Sequence, residues 1–110
     1  MALDMQDIGQ AIFETAKRIE KGTNELYKYA KAYAEAEKEY RLALAKEILC
    51  LRDAGLPATL INDVARGNVA ELKYKRDLSE VSYKTARDML EALKSQLSGL
   101  QSLYKNQGEV

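Results

Sequence analysis

Residues 45–68 read AKEILCLRDAGLPATLINDVARGN, and the fold turns on this stretch. Gly55 suits the left-handed residue just past a helix end. Pro57 cannot extend the helix before it and fits the first turn of the next one. A short helix is expected from Ala58 to Arg66, with Leu60, Ile61, Val64 and Ala65 apolar. Gly67 reads as its stop signal and Asn68 as the N-cap of a third helix. The stretch is thus a tip joining two longer helices.

Toward the N-terminus, a helix is expected from about Asp4 to Ala54. Ile8, Ile12, Phe13, Ala16 and Ile19 stand at helical spacing in its front part. At Gly22, Thr23 and Asn24 the helix is expected to bend, or to stop and restart under a Thr or Asn cap. From Leu26 the apolar seam runs through Tyr29 or Ala30, then Tyr33, Ala36, Tyr40, Leu44, Ile48 and Leu51, three and four residues apart. Toward the C-terminus, Val69, Leu72, Arg76, Ser79, Tyr83, Ala86, Leu90, Leu93, Leu97, Leu100 and Tyr104 form a second stripe. It is polar at Arg76 and Ser79, where Tyr74, Leu78 and Val81 carry a shifted apolar face that the tip helix is expected to cover.

The expected fold is all-α. It is one helical domain over 1–110, a long antiparallel, coiled-coil-like hairpin with a short helix at its tip (55–67). The long helices cover 23–54 and 68–105, an amphipathic segment covers 1–22, and 106–110 is a frayed tail. Placing Leu51 opposite Leu72 sets the register. Tyr104 then faces Ile19, Arg76 faces Glu47 as a cross-helix ion pair, and residues before Ile19 have no partner on the last helix. Ile8, Ile12 and Phe13 would then need cover from a folded-back segment or another subunit, and a homo-oligomer is favoured.

Composition closes several routes. Lys plus Arg number 17 and so do Asp plus Glu, which leaves a net charge of zero and no basic surplus for nucleic acid or anionic membrane. There is no His, which removes His-based acid–base chemistry, metal sites and nucleophile pairs. The single Cys50 cannot make an internal disulfide or a multi-Cys zinc site. Between Leu49 and Leu51 it reads as a small buried hydrophobe. No apolar run approaches the ~20 residues needed to span a bilayer, and no signal peptide is evident. The cytoplasm of the host cell is the expected compartment, with no membrane partner.

The remaining motifs have plain structural readings. The tip could be a helix-turn-helix offering Thr59, Asn62, Asp63 and Arg66 to a groove, but one cation and one anion are poor equipment for a phosphate-lined surface. The seven tyrosines read as core or interface residues, not as a stacking platform. Glu35, Glu37 and Glu39 do not share one helical face, and no glycine-rich phosphate loop occurs. No nucleophile, base and oxyanion donor assemble, so no catalytic residue, metal ligand or cofactor is assigned.

Between Glu35 and Leu97 the chain resembles a family of uncharacterised small helical proteins encoded in the early region of phages and prophages of Gram-positive bacteria. The residues carrying the likeness are Tyr40-Arg41-Leu42-Ala43, the Gly55-Leu56-Pro57 turn, Ala65-Arg66-Gly67-Asn68, and Arg76-Asp77 through Tyr83-Lys84. The resemblance implies a phage setting near recombination and single-strand-binding genes, and no mechanism.

The expected function is a non-enzymatic interaction protein that self-associates and binds a host or phage protein. Its candidate interface is Ile8, Ile12, Phe13, Tyr74, Leu78 and Val81. One alternative is a nucleic-acid-binding accessory factor in recombination or replication, using Arg66, Lys73, Lys75 and Arg76. Another is an inhibitor that blocks the surface of a host defence or replication protein.

Overall fold

The computed structural model describes residues 4–108. They form three helices and no strand: α1 (Met5–Asp53), α2 (Ala58–Asn68) and α3 (Ala70–Gly108). Asp4 caps α1, its carboxylate accepting from the Asp7 amide at 2.8 Å, which satisfies one of the free N–H groups of the first turn. α3 runs to Gly108, and the last two residues of the tail expected over 106–110 lie outside the described residues.

The helix ends follow local chemistry at one junction and depart from it at others. After α1, Gly55 takes φ +84. Its amide bonds the Arg52 carbonyl at 3.0 Å, and the Leu56 amide bonds the Leu51 carbonyl at 3.1 Å. This is a Schellman cap, and it uses the left-handed conformation that glycine adopts at little cost. Pro57 stands at the N-cap of α2 with φ −56 and ψ 136.

The expected interruption at Gly22–Asn24 does not occur. Thr23 donates its hydroxyl back to the Ile19 carbonyl at 2.9 Å, so it serves inside a continuous helix and caps nothing. Gly22 serves packing, because a Cβ there would stand 3.4 Å from Leu90 Cδ1. Gly67 is helical and does not stop α2. The break falls at Val69, with φ −110 and ψ 19. Its carbonyl receives the Leu72 and Lys73 amides, both at 3.1 Å. Asn68 likewise caps no helix: it ends α2 and donates to Glu47 Oε1 at 2.8 Å.

The chain divides into two compact units. One joins α1 up to Lys28 with α3 from Lys84 onward. Here Gly9 lies beside Tyr104 and Gly22 beside Leu90, so the two helices run antiparallel. Ile8, Thr15 and Leu90 are buried. The other unit spans Tyr29–Tyr83 and includes α2. Ala36, Ile61, Ala65 and Val69 are buried in it, and Tyr33 stacks on Tyr83 at 6.1 Å between ring centroids. The expected seam positions Tyr40, Leu44, Ile48, Leu51, Leu72, Leu93 and Leu97 are half-buried.

The register differs from the one expected. Arg76 meets Glu37, not Glu47, a displacement of roughly three helical turns. Glu47 meets Asn68 instead. The cause lies in α2, which starts just beyond the end of α1 and returns to the level of Glu47. The last turns of α1 therefore flank α2, and α3 begins further back along α1 than a simple turn would place it. Tyr104 accordingly reaches Gly9 instead of Ile19. The residues before Ile19 do find a partner within the chain, and Ile8 is 0% exposed.

Candidate interaction surface

Two features of the Tyr29–Tyr83 unit concern function: a polar patch across the helix pair, and apolar stripes on its outer sides. The polar patch follows from the register. Glu37, half-buried on α1, accepts from Arg41 one turn on at 2.6 Å and from Arg76 of α3. Arg76 also bonds Asp77 at 3.0 Å, and its guanidinium lies 5.9 Å from the centroid of the Tyr40 ring. One turn earlier on α1, the Tyr33 hydroxyl bonds Glu80 at 3.2 Å.

These contacts shift the groups in consistent directions. The Arg41 and Arg76 guanidinium groups hold the Glu37 carboxyl below its ordinary value. Lys73, then Arg76, do the same for Asp77. Glu37 is the main cause of the raised Arg76 value. Partial desolvation, and then the Glu80 carboxylate, push the Tyr33 hydroxyl up. A set of charges locked as ions near neutral pH is suited to fixing register; it offers no proton to exchange. Among the described residues no buried side-chain polar atom lacks a hydrogen bond, and no group of three or more His, Cys, Asp or Glu stands together as a metal cage.

The four cations proposed for nucleic acid all stand beside carboxylates. Arg76 is held by Glu37 and Asp77. Lys73 pairs with Asp77 at 3.0 Å, Lys75 with Glu39 at 3.1 Å, and Arg66 with Asp63 at 3.7 Å. They do not form a free basic strip.

The candidate interface residues part company. Ile8 is fully buried within the chain, so it is not a surface for a partner, and Ile12 is half-buried. Phe13 is 55% exposed with Lys17 Nζ 4.5 Å above its ring. On α3, Tyr74, Leu78 and Val81 are 65%, 53% and 59% exposed. The tip helix does not cover them, contrary to expectation: it buries Ile61 and Ala65, while their stripe faces away from the seam.

Sequence reasoning missed a second stripe. Leu42 and Leu49 of α1, seven residues apart, are each more than half exposed. The signal was present, because both fall on the side of α1 opposite Ala36, Tyr40 and Ala43. Cys50 is also exposed. The correction has the same origin: Cys50 stands about a third of a turn from the seam direction, and α2 leaves it open.

No helix among the described residues is long and apolar enough to cross a membrane. No family model, curated protein or solved structure matches the chain.

Proposed function

We propose that this chain is a non-enzymatic accessory protein that acts through its helical surfaces and self-associates, in the phage setting that its sequence resemblance suggests. The observation that carries the reading is the uncovered Tyr74, Leu78 and Val81 stripe. Three large apolar side chains in line on one helix face leave a contiguous patch of the kind that marks an interaction site.

The nucleic-acid alternative gains no comparable support, since its four cations already have acidic neighbours.

Sedimentation velocity over a range of protein concentrations tests the proposal. Mass above the monomer at micromolar concentration, reduced by Leu78→Asp, is the expected result. A strict monomer up to about 100 μM would end this reading, since that bound leaves less than about 5–6 kcal/mol for self-association.

A further inference from the structure

We draw no further inference here: the strongest candidate, the pair of uncovered apolar stripes formed by Leu42 and Leu49 on α1 and by Tyr74, Leu78 and Val81 on α3, carries none because nothing in the structure shows what covers either one.

Discussion

Ile8→Ala separates two accounts of the front of this chain. By sequence, Ile8 and Phe13 belong to one apolar face in need of an outside cover. In the structure Ile8 is the largest fully buried side chain, packed within the unit that α1 forms with the end of α3, and Phe13 is 55% exposed. Truncating Ile8 removes three carbons. At about 0.8 kcal/mol for each buried methylene the transfer loss is about 2.4 kcal/mol. The unfilled cavity raises it to about 3 kcal/mol, within the usual range for such a change. For a domain of this size the melting temperature should fall by roughly 12–24 °C. Phe13→Ala should cost less than about 1 kcal/mol, because most of that ring already meets water. Urea denaturation followed by circular dichroism gives both values. Equal losses for the two variants, or less than about 1 kcal/mol for Ile8→Ala, would refute this packing. So would an Ile8→Ala penalty that vanishes on dilution, since the cover would then belong to another copy.

Acid should weaken the helix pair in a defined window. Glu37 and Asp77 have folded values below their ordinary ones. Their contribution is therefore complete above the ordinary carboxylate range and is lost as the pH falls from about 5 toward 3. Melting temperature against pH should drop over that interval, and Glu37→Gln should flatten the drop; an unchanged slope would remove the pair from the account. Two glycines should respond oppositely to alanine. Gly99→Ala is expected to stabilise by about 1 kcal/mol from helix propensity, because no atom lies within 4 Å of the new Cβ. Gly55→Ala is expected to destabilise by about 1–2 kcal/mol, because its φ is +84. Paired thermal melts decide both signs.

The helices, their apolar seam and the turn at Gly55-Leu56-Pro57 could all be read from the sequence, because each is a local property. Periodicity of three and four residues sets a face. A glycine before a proline sets a stop and a start, and the Gly55 cap is realised with the hydrogen bonds this requires. Local signals misled where a residue had two uses. Thr23 and Asn68 are good caps in isolation, yet one bonds back within α1 and the other reaches Glu47. Gly22 looked like a breaker and is a close approach to Leu90.

Register was beyond the sequence for a physical reason. Apolar stripes that repeat every seven residues match again when one helix slides past the other by a whole repeat, so periodicity alone leaves several alignments close in energy. The tip helix removes that freedom by lying back along the end of α1. The pairing of Arg76 with Glu37, and of Tyr33 with Tyr83, is then compatible with one alignment only. The same alignment turns most of the acids on the second half of α1 inward and leaves the lysines out. Which apolar side chains stay uncovered was therefore decided by tertiary structure, while the existence of the helices was decided by sequence.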